Sequence, residues 1–276
     1  MSNRNLLLLI LGGVLVFLPG CHPKTSGRQV IDLSGQGWYL WQDKDAAWEN
    51  DELFLPPVDL SKVSTNAPTG GWDSLKSKEA MSVSVPGTVE EYFGKGLGPG
   101  SMVKGVTWWI REFEIPSDAS GKVLRLQFDS VRMRAEVYVN RKLVAYDIVG
   151  NTPFEADISK VVKPGEKVQL AVRVTNPGGN FDWKDVDPMK WGKYLIPISH
   201  GFSGVTGGVH LAITDPVYFD DLYIQNTPSK TAINAIATVN NTSSQKLAGT
   251  VNSAFLLLPI RSKGRDSSQI PLSNSP

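Results

Sequence analysis

The stretch from Trp108 to Asn176 constrains the fold more than any other, because apolar and polar residues alternate along it. Leu124, Leu126 and Phe128 face one way while Arg125 and Gln127 face the other. Ala135, Val137 and Val139 alternate with Glu136 and Tyr138, and Val168, Leu170, Val172 and Val174 alternate with Gln169, Ala171 and Arg173. Successive side chains of a strand point to opposite sides, so this pattern predicts strands with one buried face. Asn140-Arg141, Asn151-Thr152-Pro153 and Pro164-Gly165-Glu166 supply turn residues between the runs. No helical period interrupts the stretch, and short strands at regular spacing predict an all-β sandwich or jelly roll.

A chain of 276 residues holds one large or two modest domains. Its 26 glycines, 18 prolines and 8 tryptophans suit a globular β protein, with an aromatic load common among carbohydrate binders. The 28 basic and 27 acidic residues nearly cancel and form no Lys/Arg cluster, so nucleic acid is not an expected partner. No phosphate loop, zinc-ligand spacing or Ser-His-Asp order is present, and neither a metal nor a cofactor is expected.

At the start, Arg4 between Asn3 and Asn5 forms a short positive head, and Leu6 to Phe17 form an uncharged apolar run. That run is short for a bilayer span and reads as a signal peptide. It ends at Leu18-Pro19-Gly20-Cys21, which resembles a bacterial lipobox, and Cys21 is the sole cysteine. Cys21 is therefore the expected lipidation site. Pro19 is unusual two places before such a cysteine and leaves ordinary secretion open. One cysteine allows no intrachain disulfide, so the core has to stabilise itself. Acyl chains would supply a membrane anchor and make the protein an exported lipoprotein, in the periplasm or on the cell surface.

Trp109-Ile110-Arg111-Glu112-Phe113 resembles a Trp-Tyr-Arg-Arg-Glu-Phe strand of glycoside hydrolase family 2, the family of β-galactosidases, β-glucuronidases and β-mannosidases. Phe128-Asp129-Ser130-Val131, Glu136-Val137-Tyr138-Val139-Asn140, Thr152-Pro153-Phe154-Glu155 and Lys163-Pro164-Gly165-Glu166 follow in the family's order and spacing. Leu33 to Trp38, Val83 to Thr88 and Gly207 to Leu211 are similar to flanking family segments. These motifs belong to the family's N-terminal sugar-binding domain and not to its catalytic domain. The resemblance implies a galactose-binding-like jelly-roll β-sandwich over residues 30–226, after a signal peptide at 1–21 and a tether at 22–29. An incomplete immunoglobulin-like β-sandwich segment at 227–260 and an unstructured tail at 261–276 would follow. Val217 to Gln225 is read as the strand closing the first domain, and Thr231 to Asn240 with Leu247 to Leu258 as the first two strands of the second. An immunoglobulin sandwich needs about seven strands, so the chain reads as truncated before the family's (β/α)8 barrel.

Retaining glycosidases flank the scissile bond with two carboxylates. In the resembled family both are glutamates on the barrel, the acid/base following an asparagine. This sequence has no Asn-Glu dipeptide and Glu166 is its last glutamate, so the chain alone is expected to be inactive. The resemblance leaves ligand contact. In the family's β-galactosidases the sugar-binding domain lends an acidic or amide side chain to the pocket, after the strand corresponding to Val172-Arg173-Val174-Thr175. Asn176 becomes the candidate; the alternative is a turn-forming asparagine ahead of Pro177-Gly178. Pro177 to Ser203 show no steady period but keep aromatic residues, unlike a disordered linker. Trp183 and Trp191 are candidates to stack on a pyranose face, and Asp182 and Asp185 to accept hydrogen bonds from hydroxyls. For all four the alternative is pinning this loop to the domain or to the barrel. His200 has no partner histidine nearby and reads as structural. Asp220-Asp221 make a poor calcium site, since neighbours on a strand point opposite ways.

Residues 43–80 read as a long surface excursion with one helical turn near Asp51 to Phe54. The family usually has glycine after the hairpin asparagine, where this chain has Arg141. A type I′ turn would hold Arg141 at positive φ at a cost of about 1 kcal/mol; a longer loop is the alternative. Three functional readings stand: the carbohydrate-binding piece of a β-glycosidase, associated with a separate catalytic fragment; a free-standing carbohydrate-binding lipoprotein; or a gene fragment without a stable fold.

Overall fold

The computed structural model describes residues 27–76, 79–94, 103–177, 189–196, 202–229, 231–246 and 248. The chain divides into compact units at Met1–Thr242 and Ser243–Pro276, and every element named below lies in the first. In chain order these are β1 (Gln29–Asp32), β2 (Gly35–Asp43), β3 (Met81–Val85), the short helix α1 (Val89–Phe93), β4 (Gly105–Glu114), β5 (Val123–Phe128), β6 (Arg134–Val139) and β7 (Lys142–Asp147). Then come β8 (Phe154–Asp157), β9 (Lys167–Asn176), β10 (Met189–Trp191), β11 (Tyr194–Ile196), β12 (Val209–Thr214), β13 (Val217–Asn226) and β14 (Ile233–Asn241). Among the described residues no helix is long and apolar enough to cross a membrane.

The fold is a jelly-roll β-sandwich. Six strands in the order β3-β2-β4-β9-β6-β7 form one sheet, and β1-β12-β5-β8 form the other. Strands β4 and β9 pair over all ten of their residues, from Gly105 opposite Asn176 to Glu114 opposite Lys167. Trp38, Leu40, Trp109, Val137, Leu170 and Val172 of the large sheet meet Leu124, Leu126, Phe128, Val209 and Leu211 of the small one in a single apolar core. Each such fully buried side chain contributes about 1.5–3 kcal/mol relative to an exposed one.

The expectation of one buried face fails for part of the large sheet, where β6 and β9 bury residues on the outer face as well. Glu136 is 0% exposed, and Arg134 and Arg173 are 2% exposed. The cover is the segment from Lys44 to Ala80. It has no helical turn at Asp51 to Phe54; its regular pieces are 3-10 turns at Leu60–Lys62 and Trp72–Lys76. Trp72 packs edge-on to Trp108 and Tyr138, at 5.8 and 5.1 Å between ring centres, and Leu75 joins them in a second apolar cluster. Beside this cluster the cover supplies polar partners. Asp51 accepts from Arg134 at 2.6 Å, and Asn66 donates to Glu136 at 2.7 Å. Glu136 also accepts from Arg134 at 2.8 Å and from Arg173 at 2.9 Å. Burial works against the charge of Arg134, but Glu136, Tyr146 and Asp51 outweigh it and hold its pKa above the ordinary value. Two buried cations are thus matched by buried Glu136 and by Asp51 at the edge of the cover, as buried charge requires.

The hairpin between β6 and β7 is the tight form. Val139 pairs with Lys142, and both residues between them have positive φ, Asn140 at 48° and Arg141 at 70°. The longer-loop alternative is therefore overturned. Asn140 holds the turn from its side chain, donating to Glu166 at 2.8 Å and accepting from the Gln169 amide at 3.0 Å. Arg141 reaches Asp73 of the cover at 3.0 Å.

Strand β13, expected to close the jelly roll, pairs instead with β14 in a sheet of two strands. A bulge between Phe219 and Asp221 leaves Asp220 out of the register. Asp220 turns to Arg125 on β5, which donates to it at 3.1 Å and to Glu155 at 2.8 Å, with Tyr218 under the guanidinium at 4.2 Å. An acidic side chain so paired is occupied by a cation already. Apart from Ala248, the expected strand at Leu247 to Leu258 lies outside the described residues, as does the tail at 261–276.

Candidate functional site

Asn176 ends β9 on the face that carries Val172 and Val174, so it looks into the sandwich at one end of the core. It is 1% exposed, and its side-chain Nδ2 donates to the Val103 carbonyl at 3.0 Å. Val103 lies two residues before β4. Its amide donates to Glu90 Oε1 at 3.2 Å. The other oxygen of Glu90 accepts from the Ser203 amide at 3.1 Å, and the Ser203 carbonyl accepts from Val89 at 2.7 Å. Arg132 closes the group: its Nε donates to the Phe202 carbonyl at 3.1 Å, and its guanidinium lies over the Phe202 ring at 4.3 Å.

Local sequence explains how Glu90 reaches this junction. Thr88 caps α1, accepting from the Glu91 amide while Glu91 accepts from the Thr88 amide, a reciprocal capping box. Glu90 is thereby turned toward Val103 and Ser203. Tyr92 packs its ring edge-on to Trp109 and accepts from the Ser84 amide at 3.1 Å. Gly204 is required where it stands. It has φ of +148°, and a Cβ there would lie 2.4 Å from the Gly87 carbonyl and 3.0 Å from the Trp109 ring.

Electrostatically the junction is a shielded carboxylate beside a shielded cation. Burial raises the Glu90 pKa above its ordinary value, against the pull of the Ser203 and Val103 amides and of Arg132. Burial likewise lowers the pKa of Arg132, while Glu90 draws it back up. Among the described residues, no group of three or more histidine, cysteine, aspartate or glutamate side chains could hold a metal ion.

Of the residues singled out from the sequence, Asn176 sits in this junction. Trp191 ends β10, paired with Tyr194 of β11, and only its backbone is described. Asp182, Trp183, Asp185, His200 and Cys21 lie outside the described residues. Glu90, Val103 and Arg132 were not anticipated. The Thr88-x-x-Glu91 capping signature was the signal that could have placed Glu90 on a helix. Nothing in the sequence marks Val103, which acts through its backbone.

Fold and junction together define a jelly-roll domain of the galactose-binding-like kind. The family described as glycosyl hydrolases family 2, sugar binding domain, matches residues 41–191, and the chain belongs to that family. It is similar to a β-glucuronidase of Formosa agariphila, 29% identical over 147 residues, which are 49% of this chain and 15% of that protein. It is also similar to a β-galactosidase of Bacteroides ovatus, 31% identical over 93 residues, 34% of this chain and 11% of that protein. The solved β-glucuronidase of Ruminococcus gnavus in complex with D-glucuronic acid shares the fold with a TM-score of 0.55 at 20% identity, covering 77% of this chain and 34% of that one. The β-glucuronidase of Lactobacillus rhamnosus gives 0.55 at 24% identity, covering 78% and 34%. The chain thus spans about a third or less of the length of these relatives.

Proposed function

We propose that this chain binds carbohydrate at the end of the sandwich where Asn176 lies, as the sugar-binding part of a family 2 β-glycosidase. The observation that carries the reading is the family match across residues 41–191, which includes Asn176 and the strands that hold it. The relatives' names point to β-galactosides and β-glucuronides as the ligands to try. Asn176 supplies amide hydrogen bonding to hydroxyls. Asp182, Trp183, Asp185 and Trp191 remain the candidates for further contacts. Hydrolysis is assigned to a catalytic barrel, joined to this domain or bound to it as a separate fragment, because the family's barrel glutamates have no counterpart in these 276 residues. The protein is exported and held at a bacterial membrane by acyl groups on Cys21, a reading supported by the apolar leader and the lipobox-like Leu18-Pro19-Gly20-Cys21.

Titration of the purified chain with methyl β-D-galactoside and methyl β-D-glucuronide, followed by calorimetry or NMR, tests the binding. Saturable binding of either sugar is expected, weakened at least tenfold in Asn176→Ala. Binding of neither sugar overturns the reading. Labelled palmitate should enter the wild type in a Gram-negative host and not Cys21→Ser; equal labelling of both removes the anchor.

A further inference from the structure

We propose that Glu90 is a positioning residue for Asn176, fixing the Val103 backbone that in turn holds the Asn176 side-chain amide. The proposal rests on the reading of Asn176 as a sugar contact, and extends it to a residue that nothing in the sequence motifs assigns.

The geometry is a relay of two hydrogen bonds. Glu90 Oε1 accepts from the Val103 amide at 3.2 Å, and the Val103 carbonyl accepts from Asn176 Nδ2 at 3.0 Å. The second carboxylate oxygen accepts from the Ser203 amide at 3.1 Å. One side chain therefore ties together the chain entering β4 and the chain leading to β12, beside the end of β9. An ionised carboxylate suits the task because it only accepts, at both oxygens. A carboxamide of the same length would present its NH₂ to one of the two amides and leave that donor unpaired. The carboxylate is half-buried, with burial raising its pKa, so it has been withdrawn from water to make these contacts. Asn176 is 1% exposed, and a shift of the Val103 carbonyl that its amide donates to moves a side chain held so closely.

The test uses the full chain, uniformly labelled with ¹⁵N, with the Asn176 side-chain NH₂ signal identified by its absence in Asn176→Ala. Glu90→Ala and Glu90→Gln should both displace that signal. They should also speed hydrogen exchange at the Val103 and Ser203 amides at least tenfold, while the amides of β6 and β7 stay protected. Affinity for methyl β-D-galactoside or methyl β-D-glucuronide should fall at least tenfold, as in Asn176→Ala. If Glu90→Ala does not fold, Glu90→Gln alone carries the comparison. An Asn176 signal that stays in place in a folded Glu90 variant overturns the proposal, whatever happens to sugar affinity. A displaced signal in a protein that binds neither sugar leaves the relay standing and removes only the carbohydrate reading beneath it.

Discussion

Buried residues on the two faces of the six-stranded sheet are sheltered by opposite means. On the inner face Leu40, Trp109, Val137, Leu170 and Val172 meet another sheet, and any apolar group of the right volume serves. On the outer face Arg134, Glu136 and Arg173 meet an irregular segment, and each charge depends on a particular partner. Burial alone therefore says little about what a position tolerates. The inner face tolerates substitution by volume, while the outer face tolerates it only if the charges remain matched.

The largest effect expected from this contrast comes from placing methionine on each face of the same strand. Arg173→Met removes one of two cations and leaves Glu136 and Asp51 facing Arg134 alone. Breaking a buried ion pair from one side costs about 3–5 kcal/mol, read as a lower urea midpoint. Leu170→Met, on the inner face, keeps volume and polarity and should cost under about 1.5 kcal/mol. Equal losses in the two variants would erase the distinction.

A second expectation uses pH. Tyr138 is pushed well above the usual phenol range, first by burial and then by the negative charge of Glu136. Tyr146 is raised by burial as well. A tyrosine whose folded pKa is raised binds its proton longer than the unfolded chain does. Its stabilisation is complete below the unfolded value of about 10 and is lost as pH climbs from there toward the folded value. Stability should fall above pH 10 by up to about 1.4 kcal/mol per pH unit for each such tyrosine. Tyr138→Phe should flatten that slope. Spectrophotometric titration should find Tyr138 still un-ionised above pH 10 while the chain is folded. Ionisation of Tyr138 near pH 10 in the folded protein would show the outer face to be open to water there.

The smallest effect belongs to the hairpin. Arg141→Gly relieves a left-handed residue at φ 70° but gives up the contact with Asp73. Left-handed backbone costs a side chain in this turn about 1 kcal/mol, and exposed pairs contribute about 0.2–1 kcal/mol. A net gain of about 0.5 kcal/mol is expected from those two terms, seen as a slightly higher Tm. A loss would mean that Arg141 is a working tie between turn and cover.

The inner face was legible because alternation reports the side on which a strand is apolar. It cannot report that the other side is covered too. Arg173 and Glu136 read as solvent-facing because Ala47, Asp51 and Asn66, which meet them, come from chain with no period of its own. Strand β13 was legible as a strand but its pairing with β14 was not, since periodicity names a strand and not its neighbour. Asn176 was found through family motifs rather than through physics. Glu90 was missed because its two partners are backbone amides, which carry no residue signature.

Strand β1 lies at the edge of the small sheet against β12, with Gln29 opposite Ile213 and Asp32 opposite His210. Among the described residues the first strand of the sandwich pairs with the last alone, and this sets an order in time. A chain emerging from the ribosome can form β6 and β7 within moments of their synthesis. Its first strand finds no seat until residue 214 is free. Closing so long a loop carries an entropic cost that sheet pairing repays only at the end, which places such a topology among the slow folders. Until then β1 travels as an unpaired strand at the head of the chain, and Gln29–Asp32 is brief enough, and polar enough at both ends, to make that wait a safe one.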